Sequence, residues 1–247
     1  KGIWCVPKYS NPDGITFSDE VVRRFAALKP AAKDFRVIWD NAYIVHDLND
    51  TPDKLLNIFD EAKKCGSEDM FIEVISTSKI SFAGGGISAV IASDANIAEI
   101  KKRMSIQIIS NDKINQLRHA RYFKNLDGIK AHMKKQAAIL KPNFGAVTDG
   151  FEKAFDGTGI ASWKKPNGGY FISLFVMNGC AKRVGQLCKE AGLTLTTVGA
   201  TYPYGIDPDD SNIRIAPSYP DVDELKKAVE LLCICVKLAA AEKLTEE

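Results

Sequence analysis

The sequence has almost no charge imbalance: 33 Lys and Arg against 31 Asp and Glu leave a formal +2 at pH 7. These charges are spread along the whole length, which excludes the basic stripe of a nucleic-acid binder or of a protein held on an anionic membrane. Histidine is scarce. His46, His119 and His132 are the three in the chain, and their spacing matches no metal-ligand pattern, so no metal site is expected and surface or helix-packing roles are. The six cysteines, Cys5, Cys65, Cys180, Cys188, Cys233 and Cys235, form no C-x-x-C pair. They read as reduced, mostly buried thiols of a cytoplasmic protein. No apolar run reaches transmembrane length, and there is no internal repeat or low-complexity tract. A secretory leader is not expected either, because Lys1 to Pro7 passes straight into a core-like strand. A domain seldom opens in the middle of its sheet, so an N-terminal portion is expected to be missing.

What is present is an ordinary core-forming composition, 45% hydrophobic over 247 residues, enough for one large domain or two moderate ones. Ile3 to Val6, Val37 to Trp39, Met70 to Ile75 and Ser88 to Ile91 read as strands. Between them, one helix is capped by Ser18 and stopped by Pro30, and another runs from about Pro52 to a stop at Gly66. Alternating strands and helices imply a mostly parallel sheet. From Asp94 the pattern is helical, with Ile97, Ile100 and Met104 at helical spacing. A longer helical region follows from about Asp112 to Leu140, which Pro142 is expected to kink or interrupt before Phe151 to Phe155. After Gly157 the chain reads as a smaller α+β unit. Its strands are expected at Tyr170 to Val176, Leu193 to Val198 and Ile213 to Ala216, and its helices at Ala181 to Ala191 and after an Asp221 cap. The domain reading is residues 1–124 for the larger part and 125–247 for a bridging helix and the smaller part.

Three strand ends in the first half present polar residues: Asn11 with Pro12 and Gly14, Asp40 with Tyr43, and Ser76 to Lys79 before Gly84-Gly85-Gly86. Ligands of open parallel sheets bind beyond the carboxyl ends of strands, so these three would share a crevice. Taken singly, each reads equally well as a turn, a strand exit or a loop. A lysine leaving a buried strand can lose hydration and become a Schiff-base nucleophile, or it can be a solvated loop residue.

In order, however, these residues, with Pro166-Asn167-Gly168-Gly169-Tyr170-Phe171 and Asn212-Ile213-Arg214-Ile215-Ala216-Pro217, resemble the fold type I aminotransferases, the pyridoxal-phosphate enzymes related to aspartate aminotransferase. Trp39-Asp40-Asn41-Ala42-Tyr43, the stretch from Asp112 to His119 and Gly199 to Gly205 look most like the divergent branch related to MocR-type proteins. The resemblance covers essentially the whole chain. It implies an α/β fold, the three-layer transferase architecture with an incomplete, mostly parallel large-domain sheet, followed by a smaller C-terminal α+β domain. It implies pyridoxal 5'-phosphate as cofactor, amino-acid and 2-oxo-acid substrates, and a homodimer.

The resemblance also assigns roles. Lys79 would hold the cofactor covalently and then move the substrate's α-proton. Asp40 would pair with the pyridine nitrogen, and Tyr43 and Asn11 with the cofactor's 3′ oxygen, although for Asn11 a structural turn stays open. Ser76 and Ser78 would donate to the phosphate. Here the chain departs from the family, since many relatives carry an arginine several residues after the lysine, where this sequence has Gly84-Gly85-Gly86-Ile87-Ser88. Hydroxyls and main-chain amides are expected to take over. Arg214 would grip the substrate α-carboxylate. A distal carboxylate needs a second cation, for which Lys113, Asn115 and Arg118 are candidates by position alone.

Three further readings share the scaffold: a lyase or decarboxylase, the effector-sensing domain of a MocR-type regulator, and an inactive fragment of the parent enzyme. The missing part would hold one wall of the pocket. The 247-residue chain is therefore expected to bind pyridoxal phosphate weakly or not at all. Spectral titration tests this, and a tight, stoichiometric visible band near neutral pH would contradict it.

Overall fold

The computed structural model of the protein describes residues 1–246. Four strands, β1 (Gly2–Cys5), β2 (Arg36–Asp40), β3 (Phe71–Ser76) and β4 (Ser88–Ala92), form one sheet in that order. The β1–β2 and β2–β3 pairs are parallel and β3–β4 is antiparallel, giving the mostly parallel sheet expected. Crossovers between the parallel pairs carry α1 (Asp19–Ala26) and α2 (Ile58–Cys65). Ser18 caps α1 by accepting the Val21 N–H, and Gly66 ends α2 in the left-handed conformation at φ 64°.

Side chains alternate across a strand, so Val37, Trp39, Phe71 and Glu73 share one face. That face is where the core lies. Val22 and Ala26 of α1 and Ile58 and Ala62 of α2 pack on Val37, Trp39 and Phe71. Trp39, 1% exposed, takes the rings of Phe17, Phe25 and Phe71 edge-on at centroid distances of 5.7, 5.7 and 6.3 Å. The opposite face carries Trp4, Ile38, Asp40 and Val74, with Trp4 64% exposed.

The helical middle differs from its reading in three respects. Helix α2 begins at Ile58 rather than near Pro52, because the Asn57 side chain accepts the Phe59 N–H and supplies the cap there. Helix α3 (Asp94–Gln107) buries no residue, although its apolar positions recur at helical spacing. The expected interruption at Pro142 falls elsewhere. Helix α4 (Lys113–Phe123) stops at Lys124, which adopts φ 64°, and Asn125 then accepts the Gly128 N–H to start α5 (Leu126–Phe155), which includes Pro142.

The chain forms two compact units: residues 1–10 with 15–135, and residues 11–14 with 136 onward, the division falling within α5. In the second, β5 (Ala161–Trp163), β6 (Ile172–Val176) and β7 (Asn212–Ile215) make an antiparallel sheet. Helices α6 (Ala181–Glu190) and α7 (Val222–Glu246) belong to the same unit. Residues 193–198 are not a strand. They alternate like one, but run outside the three-stranded sheet. Asp221 caps α7 by accepting the Asp223 and Glu224 N–H groups, and Leu225, Val229, Leu232 and Val236 are buried as expected.

At Gly150 of α5 a residue of α7 lies close, since a Cβ there would be 2.6 Å from Val229 Cγ1. Gly150→Ala should gain up to about 1 kcal/mol of helix propensity and lose about 1–3 kcal/mol to overpacking, for a net loss read as a lower urea midpoint. Adding Val229→Ala opens the space, so in that background Gly150→Ala should cost nothing or stabilise.

Candidate active site

Strands β2 and β3 end side by side in the first unit, with Asp40 in register with Val74 and two residues short of Ser76 on the same face. Asp40 is half-buried, and its Oδ2 accepts the indole N–H of Trp4 at 3.1 Å. Tyr43, 3% exposed, follows one turn later. Its segment is held by Lys8, a 6% exposed lysine whose Nζ donates to Ile44 O at 2.9 Å and to Asp47 Oδ1 at 2.8 Å. Tyr9 donates its hydroxyl to the same Asp47 oxygen at 2.7 Å and accepts the Asp53 N–H. Removing one member of such a part-buried ion pair strands the other, so loss of either partner costs more than at an exposed pair.

Beyond β3, Thr77 closes the glycine-rich loop. Its N–H donates to Ile87 O at 2.8 Å, and its Oγ1 accepts the Ile87 N–H at 2.9 Å. The Ile80 and Ser81 amides turn back onto Thr77 O at 2.9 and 2.8 Å. Ile80 points inward, 7% exposed against Phe123 and Met133. Lys79 points the other way. It is exposed rather than desolvated, and its Nζ sits 4.9 Å from the centroid of the Tyr43 ring. Ser76 Oγ and Ser78 Oγ are 2.8 Å apart, and Ser76 Oγ accepts the Ser78 N–H. Gly86 passes so close that a Cβ would lie 2.7 to 3.0 Å from Ser78 Oγ, N and Cα, so the glycine there is a steric requirement.

The histidines, unassigned by spacing, converge on this same turn. His46 Nε2 is 3.1 Å from Lys79 O, His132 Nε2 is 2.8 Å from Ile80 O, and His119 Nε2 is 2.8 Å from Ser81 Oγ and 3.2 Å from Thr77 Oγ1. Sequence distances of 33 to 52 residues separate these partners, so no local motif could announce them. Burial pushes the His46 pKa from 6.5 down to about 4. The Lys79 and Lys8 charges act in the same direction, and the Lys79 carbonyl and Asp47 oppose. Glu73 was also missed. It is 8% exposed on the core face, accepts the Asn41 side-chain amide, and has its pKa raised by burial.

In the second unit, Arg214 of β7 meets two sequence motifs. Its Nη1 donates to Asn11 Oδ1 at 3.1 Å, and its guanidinium lies 4.6 Å from the centroid of the Phe171 ring. Arg214 Nε is buried with no hydrogen-bond partner among the described residues. Of the three candidates for a distal carboxylate, Asn115 instead donates to the Gly85 and Gly86 carbonyls, Arg118 lies 5.9 Å from the Phe82 ring, and Lys113 is exposed at the start of α4. No group of three or more His, Cys, Asp or Glu among the described residues could hold a metal ion.

The whole chain, residues 1–247, matches the family described as aspartate amino-transferase. An aspartate aminotransferase of Corynebacterium glutamicum is 45% identical over 242 residues, which make up 98% of this chain and 56% of that protein. A crystal structure of an aspartate transaminase from Corynebacterium glutamicum superposes with a TM-score of 0.96 at 44% identity, covering 98% of this chain and 57% of that one. Kynurenine aminotransferase from Pyrococcus horikoshii, solved in complex with PMP, superposes at 0.78 with 23% identity over 96% of this chain and 56% of its own, a likeness of fold alone. The chain thus spans a little over half the length of the relatives it matches.

The lowered pKa of His46 gives a signed expectation. The folded state resists protonation that the unfolded chain accepts, so stability present above pH 6.5 is lost as the pH falls towards about 4. The loss attributable to this ring reaches about 3 kcal/mol. Urea unfolding at a series of pH values should show a shallower acid decline for His46→Gln than for the unsubstituted chain.

Proposed function

Because the chain belongs to the aspartate aminotransferase family, we propose that it forms the lysine-bearing part of a pyridoxal-phosphate-dependent aminotransferase. This enzyme moves an amino group from an amino acid, aspartate first, to a 2-oxo acid such as 2-oxoglutarate. The observation that carries this reading is the placement of Lys79 just beyond the end of β3, its Nζ over the buried ring of Tyr43 from the neighbouring strand's exit. When bound, the cofactor supplies the electron sink that makes the α-proton of an amino acid removable.

The first unit's donors suit such a group. Lys79 offers the primary amine that would hold it and the base that would move a proton at the substrate's α-carbon. Asp40 offers a carboxylate for a protonated ring nitrogen, and it already accepts one indole N–H. Tyr43 offers a phenol for an anionic oxygen. Ser76 and Ser78, held 2.8 Å apart, offer paired hydroxyls to a phosphate, with backbone amides in place of the arginine that the loop lacks.

On the substrate side, the unsatisfied Nε of Arg214 is a buried donor that a carboxylate would complete, and Asn11 already orients the same guanidinium. None of the six cysteines is in a disulfide and four are buried, which suits a reducing compartment such as the cytoplasm.

Lys79→Ala in the full-length gene product should abolish both the visible absorbance of the bound cofactor and the formation of glutamate from aspartate and 2-oxoglutarate. Retention of both would overturn the assignment. Release of carbon dioxide from aspartate without glutamate formation would point to a decarboxylase on the same scaffold.

A further inference from the structure

Every histidine in the sequence touches the turn from Thr77 to Ser81, and each comes from a different element: His46 from the segment after β2, His119 from α4 and His132 from α5. The contacts are complementary. His46 and His132 reach main-chain carbonyls, those of Lys79 and Ile80, which can accept a hydrogen bond and never donate one, so in both rings Nε2 must carry the proton. His132 Nδ1 is then left to accept from the Tyr122 hydroxyl, 3.3 Å away. His119 is reversed. Its Nδ1 lies 2.9 Å from Asn115 O and therefore donates, which leaves Nε2 of the neutral ring to accept from the Ser81 or Thr77 hydroxyl.

We propose that His46, His119 and His132 are positioning residues that clasp the turn at three separate points and so fix where Lys79 projects. The proposal rests on the reading of Lys79 as the cofactor-bearing lysine. Its geometry is independent of that reading. Imidazoles hold the carbonyl of the Lys79–Ile80 peptide link and that of the Ile80–Ser81 link after it, so neither peptide plane can turn without breaking one of these hydrogen bonds. His46 also stands edge-on to Tyr43 at a centroid distance of 5.5 Å, so one ring sets both the lysine's backbone and the aromatic face under its amine. His119 and His132 each relay the turn to a helix, His119 through Asn115 O of α4 and His132 through Tyr122, while the Ile80 side chain plugs the gap between Phe123 and Met133.

Packing and clasping are separable by substitution. His132→Phe keeps a ring against Phe123 and Tyr122 and removes the donor, whereas His132→Gln keeps an N–H donor and removes the ring; the same pair can be made at position 46. Hydrogen exchange of the Ile80 and Ser81 amides should quicken roughly five- to tenfold in the Phe variants and much less in the Gln variants. The β3 amides of residues 72–75 serve as the folding control. The opposite order, Gln loose and Phe tight, would reduce the histidines to packing and overturn the proposal. Should the variants fail to fold, long-range nitrogen–proton NMR of the unsubstituted chain decides. His46 and His132 should be Nε2–H tautomers and His119 the Nδ1–H tautomer, and any other assignment refutes the clasp.

A third arm separates this proposal from the reading it rests on. Borohydride trapping at millimolar pyridoxal phosphate, mapped by mass spectrometry, should favour Lys79 over other lysines in the unsubstituted chain and lose that preference in the Phe variants. No preference in the unsubstituted chain, with the expected tautomers and exchange rates, would count against the cofactor reading and leave the clasp standing. Preference kept in every variant would overturn the positioning role.

Discussion

The two hydrogen bonds between Thr77 and Ile87 are the constraint on which the first unit's site depends. They join the exit of β3 to the entry of β4, so the glycine-rich segment between them must close as a loop. With that loop closed, Thr77 O receives the Ile80 and Ser81 amides, Ile80 turns into the core, and Lys79 is driven outward. Gly86 follows from the same closure, because its backbone lies against Ser78 where no Cβ can fit. Thr77 needs both a main-chain donor and a side-chain acceptor for this. A serine could offer both groups, but threonine's branched Cβ leaves its hydroxyl fewer rotamers to lose.

Burial divides the polar groups around this loop into anchors and working groups. Lys8 and Tyr9 share Asp47 as a partner, and the three histidines are bonded to the turn, so these groups fix backbone segments. Lys79 and Ser78 are exposed. Desolvating a charge is costly unless it is paired, so a buried lysine such as Lys8 is recognisable by its partners. In the second unit Arg214 stands between the two classes, with one edge satisfied by Asn11 and its Nε unsatisfied. Half-satisfied buried donors are unusual enough to call for an explanation, and a carboxylate ligand supplies one.

Much of the fold was legible because its signals are local. Ser18 caps through its own side chain and Gly66 stops through its own left-handed backbone, and Trp39 and Phe71 lie in short apolar runs that have no other use. Where the reading failed, a local signal was overridden by what lay around it. Pro142 is tolerated within α5, and the break falls at Lys124, whose positive φ no residue preference would suggest. Residues 193–198 alternate as a strand does, yet a strand also needs a neighbour, and the second sheet does not include them. The apolar spacing of α3 was real, but periodicity states which side is apolar and not what covers it.

The site shows the same division. The sequence by itself determined which groups are on offer, because an amine, a carboxylate, a phenol and paired hydroxyls at the ends of predicted strands, and a guanidinium within one, are chemical identities, and the ordered motifs around them mark the family. Only the tertiary structure decided how the lysine is held. His46, His119 and His132 lie 33 to 52 residues from the turn atoms they bond and share no pattern, and for His46 and His132 the partner is a main-chain carbonyl, which places no demand on the identity of the residue that owns it. Contacts of that kind leave no trace in the partner's sequence and become visible only when folding brings the turn and the three rings together.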